Sequence, residues 1–296
     1  MKIKIFNIKN SQYEEEKVYG ESFIDFLYKN PIGRLASPIL THKSASKLYG
    51  SRMDSPRSRK KISSFIEDFD IAKDDFIQSS TCDVGWNNFN EFFIRQYKPE
   101  VLNFVQGGQM PAFSDGRYFA WADESDVGKL PVKGYQIDIH ELLGRNHTAT
   151  FKGGPVVVSR LAPIDYHRYH FPDDAKIVES YQIPGVLHSV NPLALKSKSD
   201  IFMVNERVVT ILDSKNFGRL AMIEVGAVCV GKIVQTYTGP EVKRGSEKGF
   251  FKFGGSTVIL LGEQNAWRPR QEILDHTSRG IECLIKLGDT IAGEGE

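Results

Sequence analysis

Phe253-Gly254-Gly255-Ser256-Thr257 leads directly into Val258-Ile259-Leu260-Leu261, an apolar, β-rich run near the C-terminus. Glycine reaches backbone angles closed to other residues, and it leaves the Gly255 carbonyl open to close approach. The Ser256 hydroxyl can then reach back to the carbonyl of its own peptide bond. That geometry permits an N→O acyl shift and a break in the chain. Gly-Gly-Ser-Thr is equally ordinary turn chemistry ahead of a strand. Either way residues 258–261 read as a strand, and the surrounding sequence must decide what the serine does.

Working back from that run, the texture from about residue 104 onward is β-rich, with frequent glycine and short segments of Val, Ile, Phe and Tyr between turns. Arg117–Ala120, Thr148–Phe151, Val156–Leu161, Val208–Leu212, Leu220–Val225 and Val258–Leu261 are the predicted strands. Strands at this spacing predict a sandwich or barrel. Val225 to Ile233 reads as a glycine-flanked apolar strand, and Val242 to Gly249 as a tight charged turn of the kind that joins strands in lipoyl-type carriers. The tail from Gly280 to Glu296 is rich in Gly and Glu toward its end and reads as frayed.

The first third is different. Residues 1–20 suggest an edge strand and then a solvated acidic run, Glu14-Glu15-Glu16. A short helical pattern at Ser22–Leu27 is stopped by Pro31 and Gly33. Residues 37–61 are polar and include the basic cluster Arg57, Arg59, Lys60 and Lys61. Ile62, Phe65, Ile66 and Phe69 then fall at i, i+3, i+4 and i+7, one face of a helix. That stripe either packs on the core or, with its basic entry, lies on an anionic bilayer. Trp86 to Lys98 predicts a second aromatic helix closed by Pro99. The fold class expected is therefore α+β: a helical N-terminal third, residues 1–103, leading into a mostly antiparallel β-sandwich or barrel core, residues 104–296.

Composition narrows the function classes. The chain has 296 residues, 41% apolar and 25% charged, as soluble globular proteins do. A net charge of +1 gives no bulk electrostatic reason to bind nucleic acid. Cys82, Cys229 and Cys283 are too scattered for a disulfide framework or a metal-ligand spacing, which suits a reducing compartment. No window approaches the ~18 apolar residues of a membrane span, and the alternating Met1–Phe6 segment is unlike a secretory signal. Membrane contact is expected only at the surface.

Two clusters carry potential chemistry. Asp165-Tyr166-His167-Arg168-Tyr169-His170-Phe171-Pro172 sets two histidines three residues apart between prolines. On a helical turn they share a face; in extended chain they diverge. They could equally be packing residues with satisfied nitrogens, and no further ligands stand out for a metal. Pro111-Ala112-Phe113-Ser114-Asp115-Gly116 places an Asp-Gly turn before a strand. A serine sharpened by a histidine that an aspartate orients is a recurrent solution, and Asp115, His170 and Ser256 could form such a set.

Taken together, Phe89–Phe93, Pro111–Gly116, Asp165–Pro172, Leu187-His188-Ser189-Val190-Asn191-Pro192, Asn205-Glu206-Arg207, Val225-Gly226-Ala227 and Gly249–Thr257 resemble the motifs of the phosphatidylserine decarboxylase family, in family order. The resemblance covers roughly residues 85 to 265 and is specific because seven motifs agree in order. Gly-Gly-Ser-Thr stands where the best-known bacterial branch has Leu-Gly-Ser-Thr, and Phe113-Ser114 departs from the commoner Ala-Asp-Gly pattern. Both departures fit the family's second bacterial subgroup. Residues 1–84 match poorly.

The resemblance implies a proenzyme in which Asp115, His170 and Ser256 form a charge relay for self-cleavage between Gly255 and Ser256. His170 would take the Ser256 proton, releasing a larger chain, 1–255, from a smaller chain, 256–296, headed by a pyruvoyl group made from Ser256. That carbonyl would form a Schiff base with phosphatidylserine and serve as electron sink, with His167 as proton donor to the decarboxylated carbon. The family pattern also implies that the two chains stay associated, a homodimer of such pairs, and a peripheral enzyme acting on phosphatidylserine at an anionic surface on the cytoplasmic face of the membrane. It implies neither a metal nor a nucleic-acid partner. Two other classes compete: a Ser-His-Asp hydrolase with intact Ser256, which lacks Gly-x-Ser-x-Gly because residue 258 is valine, and a non-catalytic lipoyl-carrier-like β module.

Overall fold

The computed structural model describes residues 3–17, 51–80, 82–127, 138–144, 147–186, 188, 201–227, 232–252 and 256–295. The Ser22–Leu27 pattern, Cys229, Phe253 to Gly255, and all of the Leu187–Pro192 motif except His188 lie outside the described residues.

Ser256–Gly262 is the fifth of ten strands in the largest sheet. From one edge to the other the order is Glu241–Val242, Ala175–Ile183, Arg207–Ser214, Arg219–Gly226, Ser256–Gly262, Val156–Leu161, Gly116–Trp121, Glu282–Ile285, Lys4–Asn7 and Gln12–Glu15. The pairing is antiparallel except between Lys4–Asn7 and Glu282–Ile285, which run parallel. Every residue of Ser256–Gly262, Val156–Leu161 and Gly116–Trp121 is buried, so these central strands lack the polar alternation of a half-exposed sheet, and the polar residues within them, Arg117 and Arg160 among them, are buried as well. Two three-stranded sheets complete the β structure: Ile233–Gln235, Glu247–Phe251 and Arg168–His170 in one, and Trp267–Pro269, Thr290–Glu294 and Gln109–Pro111 in the other. The α+β expectation holds, but the large sheet is open among the described residues, with no closed barrel.

In the N-terminal third, Ser55 caps a 3-10 helix, Pro56–Lys61, with proline in its first turn. The helix Ile62–Phe69 follows and ends at Asp70 in the left-handed region, φ 52°. Its stripe faces inward. Phe65 meets the rings of Phe89 and Phe92 at 5.3 and 5.7 Å between centroids. These side chains join Met53, Trp86, Phe93, Tyr166 and Leu287 in a second apolar cluster beside the main core. The bilayer-facing alternative for this stripe is thereby replaced by core packing.

Other expectations are corrected. The second aromatic helix is confined to Phe89–Phe93, capped by Asn88, and Tyr97 instead forms a β-bridge with Phe76. Thr148–Phe151 is a helical turn, because it runs straight into Gly153 at φ +70° and one turn is enough to seat Phe151 in the core. Of the strand predicted from Val225 to Ile233, Val225 and Gly226 end the strand Arg219–Gly226, Ile233 begins the strand Ile233–Gln235, and residues 228–231 lie outside the described residues. The acidic run is not solvated throughout: the Glu16 side chain is 2% exposed and pairs with Arg117 and Arg160. Nor is the tail frayed, since it supplies the strands Glu282–Ile285 and Thr290–Glu294. Val242 to Gly249 is the charged turn expected, with Gly245 at φ +76°.

If Phe65 belongs to this core, Phe65→Ala should destabilise the fold by about 3–5 kcal/mol in urea unfolding. A loss below about 1 kcal/mol, the range of exposed positions, would show that the stripe is not packed.

Candidate active site

Ser256 begins the fifth strand, in register with Leu161 on one side and Gly226 on the other. Its neighbours are fixed from behind. Asn205, fully buried, donates through Nδ2 to the Gly226 and His188 carbonyls at 2.7 and 2.9 Å. The Ser256 side chain has no exposed surface, and its Oγ lies 3.3 Å from His167 Nδ1.

His167 is oriented by its own turn. Asp165 N donates to the Ala162 carbonyl at 2.9 Å, and His167 Nε2 donates to the same carbonyl at 3.0 Å. A carbonyl can only accept, so Nε2 carries the proton and Nδ1 presents its lone pair to the serine hydroxyl. The ring is stacked on Phe93, 3.9 Å between centroids and 20° between planes. Burial, reinforced by the Arg95 and Arg117 cations, holds the imidazole well below the ordinary histidine value. It is therefore a neutral base facing a serine in a dry site.

His170 lies three residues on, in the strand Arg168–His170, and the extended backbone turns it elsewhere. Its Nδ1 donates to the Gly245 carbonyl at 2.9 Å, and Tyr166 OH donates to Nε2 at 3.4 Å. Burial lowers its affinity for a second proton as well.

Asp115 is 2% exposed and fully engaged: Oδ2 accepts from Tyr97 OH at 2.7 Å and Lys286 Nζ at 3.0 Å, and Oδ1 from Leu287 N at 2.7 Å. Burial alone would raise this carboxyl, but Lys286, the Leu287 amide and Tyr97 outweigh it and hold it below the ordinary value. Gly116 is required beside it, because a Cβ there would stand 2.4 Å from Ser159 Oγ and 2.9 Å from the Arg160 carbonyl oxygen. Among the described residues no group of three or more His, Cys, Asp or Glu is placed to share a metal ion.

The phosphatidylserine decarboxylase family model matches residues 89–293. The chain belongs to the phosphatidylserine decarboxylase family. The phosphatidylserine decarboxylase proenzyme of Clostridium novyi (strain NT) is 39% identical over 295 residues, 98% of each chain. That of Clostridium perfringens (strain SM101 / Type A) is 40% identical over 299 residues, covering 98% of this chain and 99% of its own. That of Fusobacterium nucleatum subsp. nucleatum is 37% identical over 297 residues, covering 99% of this chain and 98% of its own.

Against this family's expected relay, the structure joins Ser256 to His167 rather than to His170, and Asp115 to Tyr97, Lys286 and Leu287 rather than to His170. The reason is the extended strand Arg168–His170, which sends the two imidazoles to different partners. Gly255 lies outside the described residues. Sequence reading gave no role to Tyr97, Lys286 and Arg95, and Phe93 stood in the quoted Phe89–Phe93 motif without one. Asn205 stood in a quoted motif without a role.

The buried neutral imidazoles set a pH dependence. His167 and His170 have folded values below 6.5, so the unfolded chain binds more protons and the stability they contribute is present above about pH 6.5 and lost as pH falls. Asp115 extends the loss below pH 3.8. The melting temperature should fall steadily from pH 7 to pH 5; an unchanged value over that range would mean that the histidines are not held neutral.

Proposed function

We propose that this chain is the self-processing precursor of a phosphatidylserine decarboxylase that converts phosphatidylserine to phosphatidylethanolamine and carbon dioxide. One observation carries the reading: a buried serine at the head of a central strand, its hydroxyl against an imidazole whose basic nitrogen is fixed toward it. Family membership supplies the substrate.

In this reading His167 Nδ1 takes the Ser256 proton and Oγ attacks the Gly255 carbonyl. The amide becomes an ester; β-elimination then frees residues 1–255 with a carboxylate end. The dehydroalanine left at 256 takes up water and loses ammonia, leaving a pyruvoyl group on residues 256–296. The site suits such a group: residue 256 is buried, and its neighbour is a neutral imidazole. When present, the carbonyl supplies the electron sink that decarboxylation beside an amine requires. His167 stays against residue 256; Nδ1 would take a proton from the ammonium of the incoming substrate as its amine is freed to react, and would return that proton to the carbon that has lost carbon dioxide. Tyr97, Lys286 and the Leu287 amide keep Asp115 ionised. The resemblance instead gives His170 the cleavage step, and the two assignments are separable.

The two product chains are expected to remain together. Ser256–Gly262 lies between strands of the larger chain, as does Glu282–Ile285. Val258, Ile259, Leu260, Ile273 and Ile291 of the smaller chain are fully buried, each worth about 1.5–3 kcal/mol. Exposed Arg57, Arg59, Lys60 and Lys61 on one short helix suit an anionic lipid surface, consistent with a peripheral enzyme on the cytoplasmic face. Among the described residues no helix is long and apolar enough to cross a membrane. The family pattern adds a homodimer of the cleaved units.

On a denaturing gel the protein should run as two chains, the smaller with a blocked terminus by mass spectrometry. Ser256→Ala should remain whole and inactive. A single uncut chain with full decarboxylase activity would end this reading. His167→Ala should stay uncut while His170→Ala is cut; the reverse result, with a cut but inactive His167→Ala, would assign cleavage to His170 and leave His167 only as proton donor.

A further inference from the structure

Both oxygens of the Asp115 carboxylate are held by two consecutive residues near the C-terminus. Ile285 is the register partner of Gly116, so Lys286 leaves its strand directly opposite Asp115. Lys286 Nζ donates to Asp115 Oδ2 at 3.0 Å, and the next amide, Leu287 N, donates to Oδ1 at 2.7 Å.

The turn that carries these donors is pinned. Asp289 N donates to the Lys286 carbonyl at 3.1 Å, and Gly288 N donates to the Ala112 carbonyl at 2.9 Å. Ala112 N donates back to the Asp289 carbonyl at 2.7 Å. Gly288 takes φ +89°, and a Cβ on it would stand 2.0 Å from the Asn103 carbonyl oxygen. The lysine stem therefore starts from fixed backbone and reaches inward: its side chain is 57% exposed, whereas that of Asp115 is 2% exposed. A pair of exposed charges would contribute little. Here the carboxylate is buried, and its ionised form depends on protein donors. Tyr97 OH is the third of them, and of the three Lys286 alone is charged.

We propose that Lys286 is a positioning residue for self-cleavage: from the segment that would become the smaller chain, it fixes the Asp115 carboxylate of the larger one. The inference rests on cleavage at Ser256 and on Asp115 as the carboxylate of the relay that the resemblance implies. A relay carboxylate orients its imidazole and stabilises the imidazolium that forms as the serine proton leaves. It does so only while ionised. The Asp115 charge acts on His170, raising its proton affinity against the effect of burial.

Asp115 is faced by Lys286 and Asp289 from this turn, and by Arg95 and Tyr97 from the segment after the helix Phe89–Phe93. Tyr118 faces it from its own strand, and Tyr166 and His170 from the histidine segment. His170 is faced besides by Arg168 of its own strand and by Glu247 of the strand Glu247–Phe251. Removing the Lys286 cation lets the buried carboxyl take a proton more readily. It also leaves the Asp115 charge less opposed at His170, whose proton affinity rises. Both changes act in one direction, and the pH below which cleavage fails moves up.

The test is cleavage of the freshly translated full chain, followed on denaturing gels from pH 5 to pH 8. Lys286→Met should raise the acid limb by about one pH unit and slow cutting about 10-fold on that limb, the equivalent of one hydrogen bond to a charged group discounted for the lysine's exposure. Lys286→Arg, which keeps the charge, should leave the limb in place. In the uncut Ser256→Ala chain, Lys286→Met should raise the titration of the Asp115 carboxyl followed by NMR. Should Lys286→Met fail to fold, Lys286→Gln carries both measurements. Either an unmoved limb or an unmoved Asp115 titration overturns the inference. So does a Lys286→Arg limb displaced as far as that of Lys286→Met, because the charge would then not be the agent. A wild-type chain that is never cut would sink self-cleavage, and normal cutting of Asp115→Asn would sink the relay. A blocked Asp115→Asn beside wild-type behaviour of Lys286→Met sinks only the role of Lys286.

Discussion

The Ala162 carbonyl decides which nitrogen of His167 is basic. By accepting from Nε2 it leaves Nδ1 as the lone-pair atom, and Nδ1 is the atom beside Ser256 Oγ. Rotating the turn would leave the imidazole free to present N–H to the hydroxyl, and the same residues would then be inert. Burial makes the arrangement decisive, because a hydrogen bond lost at a buried polar group is costly. Phe93 stacks on the ring, and the turn held by Arg95 and Asp165 engages its Nε2, so the imidazole is fixed by both.

The location of the serine would make the proposed self-cleavage between Gly255 and Ser256 compatible with a stable product. Among the described residues the fifth strand pairs with both neighbours from Ser256 onward, and the bond to be broken joins Ser256 to Gly255, outside the described residues. Breaking that bond removes no rung from Ser256 to Leu261. The smaller chain keeps a central strand, a second strand in the same sheet, and the helix Gln271–Ser278, whose Thr277 hydroxyl accepts from Ala120 N at 3.0 Å. Separation of the chains would require the sheet to be dismantled. The proposed cut would therefore leave the pairing of the fifth strand from Ser256 to Leu261 in place.

Much of the β core was readable because central strands leave continuous apolar runs, and Val156–Leu161 was found to the residue. The Ile62–Phe69 stripe was readable from its 3.6-residue period, although periodicity could not say what covered it. Glu16 was misread because an acidic run looks solvated unless the two arginines across the sheet are known. Ser256, His167, His170 and Asp115 were all singled out from the sequence as candidates; the side chains and carbonyls that each one meets were not. Whether His167 or His170 meets the serine depends on how the strand Arg168–His170 lies on its neighbours, which is a tertiary fact. Tyr97 and Lys286 reach Asp115 from 18 residues before it and 171 after it, separations at which no local pattern survives.

The N-terminal third is better understood as a wall of the site than as an appendage to it. Ser58 Oγ accepts from Phe89 N at 2.8 Å, which ties the basic 3-10 helix to the helix Phe89–Phe93. That helix ends in the ring stacked on His167. Arg95 and Tyr97 follow within four residues, one gripping the active-site turn and the other bonded to Asp115. The apolar cluster that fixes these elements also contains Tyr166 from the histidine segment and Leu287 from the smaller chain. A dry, neutral imidazole needs cover on the side away from the sheet, and this cluster supplies it. The same short helix thus carries surface cations at its exposed positions and, through Ser58, a direct structural connection to the shielded base.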